Sequence, residues 1–306
     1  MQKIVIIGSG AAGLTAAIYA SRADLEPLLI SGQLPGGLLT QTSDVENYPG
    51  FPEAVNGFEL MSKFQQQAER FGTTIKSDTV NKVELKPGGP HTLHLASGEI
   101  VKTKALIIAT GASPRWLGLE SEERLKNKGV SACATCDGAF FRGVPVVVAG
   151  GGDTAMEEAL FLTKFASKVT VVHRRDELRA SKIMGDRAMD NPKIEFCWSS
   201  QVSEIIGDEE VEKVKIKNLK DQSESIIEAK GFFSALGHIP NTDIFHGIET
   251  DKAGFIKLHN CTSYTNIDGV FAAGDCADHI YRQAVTAAGM GCKAAIDAER
   301  WLETNV

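Results

Sequence analysis

The sequence predicts an α/β protein with two Rossmann-like nucleotide-binding domains. Two glycine-rich motifs support this prediction, because each stands between a short apolar strand and a segment typical of a helix. The length of 306 residues, 43% of them hydrophobic, allows two ordinary domains with a core each. We therefore expect two dinucleotide sites in one chain.

The first motif opens the chain. The β-branched run KIVIIG leads into Gly8, Gly10 and Gly13 in GxGxxG spacing, and LTAAIYASR then predicts a helix. The first glycine allows a tight turn, the second lets a pyrophosphate approach the backbone, and the third lets the helix pack on the strand. An ordinary glycine-rich turn is the alternative interpretation.

The second motif follows an apolar strand at residues 144–149. Gly150, Gly152 and Ala155 stand in GxGxxA spacing, and a helical segment comes after them. The pattern repeats an architecture rather than a short sequence unit, because nothing recurs at the 20–50-residue spacings of solenoids. A second nucleotide is expected here.

The residues about 20 positions beyond each motif distinguish the two sites, because a carboxylate there binds a ribose 2′-hydroxyl and an arginine accepts a 2′-phosphate. After the second motif, the strand KVTVVH is followed by Arg174, Arg175 and Arg179, which favour NADPH over NADH. A solvated basic segment is the alternative. After the first motif, Ser31-Gly32-Gln33 offers neither group, which favours FAD over NADP.

The segment SACATCDGAF contains two cysteines, Cys133 and Cys136, that could be a metal clamp, a structural staple or a redox centre. A zinc site needs four ligands, and the other cysteines, at 197, 261, 276 and 292, are scattered singly. Core packing is expected for those four. A dithiol on one turn can store two electrons, which suits a chain that also binds two dinucleotides.

Composition sets the broad class of protein. The 32 basic and 39 acidic residues give a net charge of −7, which lacks the basic excess of a nucleic-acid binder. The apolar N-terminus is interrupted by glycines and differs from a signal peptide, and no segment has the length of a membrane helix. A cytoplasmic protein is expected, whose cysteines are mostly free thiols.

Over essentially its whole length the sequence resembles the bacterial low-molecular-weight thioredoxin reductases. The resemblance rests on nine segments in the family's order: GSGAAG, DVENYPGFP, ATGASPR, ACATCDG, GGGDTAMEEALFL, HRRDELRAS, ALGHIPNT, GVFAAGDCAD and YRQAVTAAGMGCKAA. It implies an NADPH-dependent thioredoxin-disulfide reductase with FAD, NADPH, a thioredoxin partner and a homodimeric state.

The resemblance also implies the domain organisation. A discontinuous FAD domain would comprise residues 1–113 and 246–306, and an NADPH domain carrying the Cys-x-x-Cys pair, residues 114–245, would be inserted in it. Gly/Pro-bearing segments near both boundaries suit linkers. The inserted domain would rotate about linkers at 113–117 and 243–247, because nicotinamide and dithiol must meet the same flavin face in turn.

The family's catalytic residues map onto three positions. Cys136 would receive electrons from the flavin, Cys133 would attack the partner's disulfide, and Asp137 would be the general acid and base. A helix cap for GAFF is the alternative role for Asp137. No metal is implied.

The cofactor residues implied by the resemblance fall into two sets. The FAD set is Gly8, Ser9, Gly10, Ala11, Ser31, Gly32, Gln33, Gly37, Leu38, Gln41, Asn47, Val80, Ala109, Thr110, Gly111, Gly274, Asp275, Arg282, Gln283 and Ala284. The NADPH set is Gly150, Gly152, Asp153, Thr154, Glu157, His173, Arg174, Arg175, Arg179 and Gly237. Packing or capping is the alternative role for His173.

Two positions depart from the family. Gln33 replaces a glutamate common among relatives, which puts its adenosine contact in doubt. Asp153 replaces a common asparagine and is expected to cap the following helix equally well.

Other functions remain open at this stage. Flavoproteins that reduce a peroxiredoxin usually carry an extra N-terminal domain, whereas dithiol oxidases and ferredoxin-dependent relatives tend to lose the arginine segment. A nucleotide-sensing binding protein would need neither Cys133 nor Cys136.

Overall fold

The computed structural model describes residues 1–42 and 44–305 of the chain. These residues form two compact units: unit 1 is Met1–Ser113 with Ile239–Val306, and unit 2 is Pro114–His238. Unit 2 is thus inserted into the sequence of unit 1. The α/β fold with two Rossmann-like units, predicted from the two glycine motifs, is confirmed.

Unit 1 is built on a seven-stranded sheet. Its strands and helices are β1 (Gln2–Ile7), α1 (Ala11–Arg22), β2 (Leu28–Ile30), β3 (Asp44–Val45), β4 (Val55–Asn56), α2 (Gly57–Arg70), β5 (Thr74–Lys76), β6 (Val80–Glu84), β7 (His91–Leu95) and β8 (Ile100–Ile108), with a 3-10 helix at Leu38–Gln41. The strand order is β5-β2-β1-β8-β7-β6, and a later strand, Val270–Ala272, also pairs with β8. Strands β5, β2, β1 and β8 are parallel, whereas β7 and β6 are antiparallel additions.

The central strand of unit 1 is buried on both faces. Ile4 and Ile6 pack with the helices on one face, and Val5 and Ile7 pack on the other, as the two-residue period of a strand requires. This explains why KIVII is a continuous apolar run rather than an alternating one.

Unit 2 is built on a five-stranded parallel sheet. The chain enters unit 2 through β9 (Ala112–Pro114), which spans the boundary between the units. The elements of unit 2 are α3 (Glu120–Arg124), β10 (Val130–Ser131), α4 (Ala134–Asp137), β11 (Pro145–Ala149), α5 (Asp153–Leu162), β12 (Lys168–Val172), α6 (Lys182–Met189), β13 (Ile194–Cys197), β14 (Ser200–Ile206), β15 (Lys213–Asn218), β16 (Glu224–Glu228) and β17 (Gly231–Ser234), with a 3-10 helix at Gly138–Phe141. The order is β10-β17-β11-β12-β13, and β14-β15-β16 form a separate antiparallel sheet.

The chain returns to unit 1 through β18 (His238–Pro240), which pairs with β9, and ends in β19 (Val270–Ala272) and α7 (Ala284–Asn305). The sequence places this return between residues 245 and 246, but the structure places it at His238–Ile239. The physical reason is that Asn241 already exchanges hydrogen bonds with Thr110, and Phe245 is buried in a core cluster of unit 1.

The long C-terminal helix α7 packs closely on α1. A Cβ atom at Gly291 would lie 2.1 Å from the carbonyl oxygen of Ala12, so a larger residue at this crossing would force the helices apart. Among the described residues, no helix is both long and apolar enough to span a membrane.

The imidazole ring of His91 is fully buried in unit 1. His91 on β7 is 0% exposed, and its Nδ1 accepts a hydrogen bond from the Lys86 N–H at 3.3 Å, which leaves the proton of the neutral ring on Nε2. Burial lowers the pKa of His91, and the backbone of Gly269 and the charge of Asp268 oppose this only in part. Folding therefore favours the neutral form of His91.

This burial predicts a loss of stability in acid. As pH falls below about 6.5, the unfolded chain protonates His91 and the folded chain does not, so the free energy of unfolding falls by up to about 1.4 kcal/mol per pH unit. Thermal unfolding at pH 7.5 and 5.5 should show a smaller decrease in Tm for His91→Gln than for the wild type. His246→Gln, which removes an exposed histidine of unit 1, should retain the wild-type decrease; equal decreases in all three proteins would contradict the prediction.

Candidate active site: two dinucleotide loops and a disulfide

The first glycine loop joins β1 to α1 by close backbone contacts. Gly8 has φ +107°, and a Cβ atom there would lie 2.2 Å from the carbonyl oxygen of Ala109. A Cβ atom at Gly13 would lie 1.8 Å from the carbonyl oxygen of Gly8. At Gly10, in contrast, no atom lies within 4 Å of such a Cβ, so the space in front of α1 is open. The three glycines thus have the turn, packing and open-approach geometries that the motif predicts.

Several predicted FAD residues meet at the carboxyl ends of the parallel strands. Ser9 donates its hydroxyl to the Ser31 carbonyl at 2.9 Å and accepts the Gly36 N–H at 2.9 Å. Gly37 lies against Gly10, because a Cβ atom at Gly37 would be 3.1 Å from the Gly10 Cα. The structure therefore brings the ends of β1 and β2 and the segment after β2 into one cluster.

The C-terminal segment joins the same end of unit 1. A Cβ atom at Gly274, just after β19, would lie 2.9 Å from the Ala12 Cβ at the start of α1. Asn47 donates an amide hydrogen bond to Gln283 at 3.4 Å, which links segments 236 residues apart. The predicted contribution of both ends of the chain to one site thus has a structural basis.

Asp275 is a largely buried carboxyl group at this end of unit 1. Its pKa is raised to about 6, mainly by burial and in part by the charge of Asp278, while the charge of Arg282 opposes this rise. Arg282 itself has φ +47°, a backbone conformation that residues other than glycine seldom adopt. A buried carboxyl group of this kind suits a polar ligand group, such as a hydroxyl, as its partner.

For the other predicted FAD residues, the structure gives no side-chain hydrogen bond to this cluster among the described residues. Val80 lies in a core cluster and is 5% exposed, so its side chain serves packing. Gln33 and Gln41 are exposed, and no hydrogen bond that the structure gives for the described residues ties either side chain to the cluster. The remaining members of the set lie in loops or at helix starts around the cluster: Ala11, Gly32, Leu38, Thr110, Gly111 and Ala284.

The second glycine loop repeats the first in unit 2. A Cβ atom at Gly150 would lie 2.5 Å from the carbonyl oxygen of Ala235, and Ala155, at the third motif position, is fully buried. Gly152 precedes α5 and has no atom within 4 Å of its Cβ position. Thr154 and Glu157 lie on the first turns of α5, and Gly237 is at the end of unit 2.

The arginine-rich segment is bonded to this glycine loop. The carbonyl oxygen of Gly151 accepts the N–H groups of Arg179 at 2.7 Å and Ala180 at 3.1 Å. Asp153 accepts the N–H of Ser181 at 2.8 Å and makes no capping bond to α5, so the capping role expected for it is wrong. Sequence reasoning did not name Gly151 or Ser181 as members of the site, although both lie in the segments that carry the resemblance.

The side chain of His173 is buried and packs against the second glycine loop. It is 5% exposed, its Nε2 lies 3.1 Å from the Glu177 carbonyl, and its ring would meet a Cβ atom at Gly151 at 2.3 Å. Burial lowers the pKa of His173, and the charges of Arg175, Arg174 and Arg179 lower it further. All three arginines are exposed, so unit 2 presents a cluster of positive charge beside the glycine loop.

Cys133 and Cys136 form a disulfide with a Cα–Cα distance of 5.3 Å. Cys133 follows β10 and precedes α4, and its sulfur accepts the N–H of Cys136 at 3.2 Å. Cys136 is exposed and Cys133 is half-buried. Strand β17 lies between β10 and β11, so these two parallel strands are about 10 Å apart. The disulfide follows β10 and the glycine loop follows β11, so both lie at the carboxyl ends of the strands.

Asp137 follows Cys136 directly, and its carboxyl group has one side-chain hydrogen-bond partner among the described residues, Ser131. The Ser131 hydroxyl lies 2.6 Å from its Oδ2 atom and accepts the Cys133 N–H at 3.0 Å. Burial raises the pKa of Asp137, and the Ser131 hydrogen bond lowers it. Asp137 makes no capping bond to the 3-10 helix that follows, so the alternative role as a cap is wrong. Sequence reasoning missed Ser131, although it stands two residues before the first cysteine.

The remaining cysteines differ in environment. Cys276 is fully buried, which raises its pKa to about 11, and Cys197 and Cys292 are half-buried. Cys261 is exposed, so the core-packing role expected for it is wrong. Within residues 1–42 and 44–305, no group of three or more His, Cys, Asp or Glu side chains is arranged to hold a metal ion.

Two Rossmann-like units with open helix N-termini, together with a disulfide at the edge of one sheet, define a dinucleotide-dependent disulfide oxidoreductase. Residues 2–291 match the family model described as pyridine nucleotide-disulphide oxidoreductase, and the chain belongs to this family.

Curated relatives and solved structures agree with this assignment over the full chain. The chain is 51% identical over 303 residues to a thioredoxin reductase of Mycolicibacterium smegmatis, covering 99% of this chain and 97% of that protein. A solved thioredoxin reductase from Giardia duodenalis superposes with a TM-score of 0.93 at 46% identity, and one from Streptococcus pyogenes with 0.92 at 42%, each over 98% of both chains.

The cofactors of the chain are FAD and NADPH. The residues present fit two dinucleotides, because α1 and α5 each begin after a glycine that has open space and no side-chain cap. Helix N-termini of this kind bind pyrophosphate through their free N–H groups and their dipole.

This geometry predicts opposite effects for two glycine substitutions. Gly13→Ala should lower the stability of the apoprotein by about 1–3 kcal/mol, because its methyl group collides with the Gly8 carbonyl. Gly10→Ala should leave apoprotein stability within about 0.5 kcal/mol of wild type and weaken FAD binding, because its methyl group enters the open space. Thermal unfolding and flavin-fluorescence titration measure the two effects. Wild-type FAD affinity in Gly10→Ala would exclude the α1 N-terminus as the pyrophosphate site.

Proposed function

We propose that the chain is a thioredoxin-disulfide reductase, which passes electrons from NADPH through FAD and the Cys133/Cys136 dithiol to the disulfide of thioredoxin. The main supporting observation is a Cys-x-x-Cys disulfide at the same sheet edge as an arginine-flanked dinucleotide loop. The name thioredoxin reductase, carried by relatives that match over nearly their full lengths, supports the choice of partner.

We assign FAD to unit 1. Its pyrophosphate would bind the N–H groups at the start of α1, with Gly10 and Ala11 nearest to it. Asp275, a largely buried carboxyl group with a raised pKa, would bond a hydroxyl of the cofactor, and Asn47 and Gln283 would line the same site. The open space at Gly10 supports this assignment.

We assign NADPH to unit 2. Its pyrophosphate would bind at Gly152 and Thr154, at the start of α5, and its 2′-phosphate would bind Arg174, Arg175 and Arg179. The exposure of these guanidinium groups, and their common effect on the pKa of His173, support a shared site for an anion.

The dithiol carries two electrons and two protons per turnover. When bound, FAD would supply the two-electron chemistry that links oxidation of NADPH to reduction of the Cys133–Cys136 disulfide. The Cys133 thiolate then attacks one thioredoxin sulfur and breaks its disulfide, and Cys136 attacks Cys133 to release reduced thioredoxin and restore the enzyme disulfide. Asp137 would accept and return the proton in these exchanges, because its burial keeps its protonated form accessible.

We further propose that unit 2 rotates between half-reactions. The dinucleotide loop and the disulfide both belong to unit 2, whereas the proposed flavin site belongs to unit 1. Both must deliver or take electrons at one flavin, so they would reach it in turn. A homodimeric state and a cytoplasmic location complete the proposal. The family resemblance supports the homodimer, and the four free cysteines of the described residues support a reducing compartment.

The proposed 2′-phosphate site predicts a selective loss. Arg174→Gln should raise the KM for NADPH about ten-fold or more, since a hydrogen bond to a charged group contributes about 1.5–3 kcal/mol, and leave the KM for NADH nearly unchanged. Steady-state kinetics with both cofactors measure this. Arg187→Gln, an exposed arginine on α6, is the matched control and should leave both values unchanged. Equal losses with NADPH and NADH would contradict the assignment.

The proposed roles of the two cysteines predict different products. With no other electron acceptor present, the FAD-loaded wild type should oxidise NADPH only when oxidised bacterial thioredoxin is added, and either serine variant should abolish this turnover. Cys136→Ser should accumulate a mixed disulfide between Cys133 and thioredoxin, visible by mass spectrometry. Cys133→Ser should not, and its Cys136 thiolate should give a long-wavelength charge-transfer band. Turnover in either variant would disprove the dithiol route, and exchanged results would reverse the roles.

A further inference from the structure

The hydroxyl of Ser131 connects the proposed proton carrier with the first cysteine. Ser131 is the last residue of β10 and is 8% exposed. Its Oγ atom lies 2.6 Å from Asp137 Oδ2, accepts the Cys133 N–H at 3.0 Å and lies 3.5 Å from the Cys133 carbonyl oxygen. One buried hydroxyl therefore touches both parts of the centre.

This hydroxyl can satisfy Asp137 whether or not the carboxyl group holds a proton. With Asp137 ionised, the Ser131 O–H donates to Oδ2. With Asp137 protonated, the carboxyl O–H donates to the Ser131 oxygen, and the hydroxyl proton can turn toward the Cys133 carbonyl. A serine hydroxyl has one donor and two acceptor positions, so the Cys133 N–H keeps its acceptor in both states.

We propose that Ser131 is a positioning residue for proton transfer at the dithiol: it holds the Asp137 carboxyl group in one place through both of its protonation states. The inference rests on the proposed function and deepens it. Ser131 itself exchanges no proton with substrate; it acts through Asp137.

Thiol–disulfide exchange requires a hydrogen-bond partner that serves Asp137 in both of its protonation states. Reduction of thioredoxin consumes the two thiol hydrogens of Cys133 and Cys136 and produces two thiols on thioredoxin, while one disulfide forms and one breaks. Cys133 loses its proton when it attacks thioredoxin, Cys136 loses its proton when it attacks Cys133, and each departing thioredoxin sulfur gains one proton. Asp137 would therefore change protonation state during each turnover, and a partner that served only one state would leave it unpaired in the other.

The surroundings make Ser131 the main polar influence on Asp137. Helix α4 packs on α5 and on the 3-10 helix Gly138–Phe141. The ionisable side chains of α5 are Asp153, Glu157 and Glu158, and none of them shifts the pKa of Asp137. Burial and the Ser131 hydrogen bond are the two influences, so removal of the hydroxyl acts on Asp137 directly.

The test compares Ser131→Ala with the shape-matched pair Ser131→Thr and Ser131→Val in the FAD-loaded protein, with oxidised bacterial thioredoxin as substrate. Ser131→Ala and Ser131→Val should lower kcat about ten-fold, the effect of losing one hydrogen bond to a charged group. Their kcat profiles should show the Asp137 ionisation at higher pH, because the lost donor favoured the ionised form. Ser131→Thr should restore both the rate and the profile.

Two controls separate positioning from a general structural effect. NADPH oxidation with ferricyanide, which takes electrons from the flavin without the dithiol, should stay at the wild-type rate in all variants. Ser203→Ala removes a hydroxyl that bonds only a carbonyl of β15, and it should leave thioredoxin reduction unchanged. In an Asp137→Asn background, Ser131→Ala should cause little further loss, because the residue through which it acts has already lost its proton chemistry.

Three results would overturn the inference. They are a wild-type kcat in both Ser131→Ala and Ser131→Val, an unshifted pH profile despite a lower kcat, and an undiminished further loss in the Asp137→Asn background. If Ser131→Ala does not fold, the Thr/Val pair decides between the outcomes. A wild-type protein that oxidises NADPH with ferricyanide but not with thioredoxin would instead refute the proposed function and is distinguishable from these results.

Discussion

The close contact between the first helical turn and the preceding strand turn is the constraint on which both units depend. In unit 1 the Gly13 Cα approaches the Gly8 carbonyl so closely that no Cβ atom fits. This contact holds α1 against β1 and leaves its N-terminal N–H groups pointing into open space at Gly10. A looser contact would move the N-terminus of the helix away from the carboxyl ends of the parallel strands, where the other predicted site residues lie.

Unit 2 meets the same constraint with different residues and adds a second layer of support. Its third motif position is an alanine, whose methyl group lies in the space that a Cβ at Gly150 would need. Behind the loop, the buried ring of His173 fills the space at Gly151, and three N–H groups of the arginine segment bond to Gly151 and Asp153. The exposed arginines therefore project from a backbone that is bonded to the glycine loop, which limits the conformational entropy lost when they bind an anion.

Much of this organisation follows from the sequence, because its signals are local. Glycine spacing between a strand and a helix determines a turn geometry, and an arginine after the next parallel strand must lie near that turn. The partners that were missed are set by tertiary contacts. No local pattern shows that Asp153 would bond Ser181, 28 residues away, or that Asp137 would turn from the following helix toward Ser131. The return to unit 1 was misplaced for the same reason, since the burial of Phe245 depends on a core formed by distant strands.

The position of the disulfide explains why a chain of this kind needs two units. Parallel strands place all their carboxyl ends at one edge, so the dinucleotide loop after β11 and the disulfide after β10 share that edge of unit 2. Both are therefore fixed to one sheet, about 10 Å apart by strand spacing. Under the proposed function, the flavin lies in a separate unit that is joined to unit 2 by two short segments of the chain. This arrangement allows the dinucleotide loop and the disulfide to reach the flavin in turn.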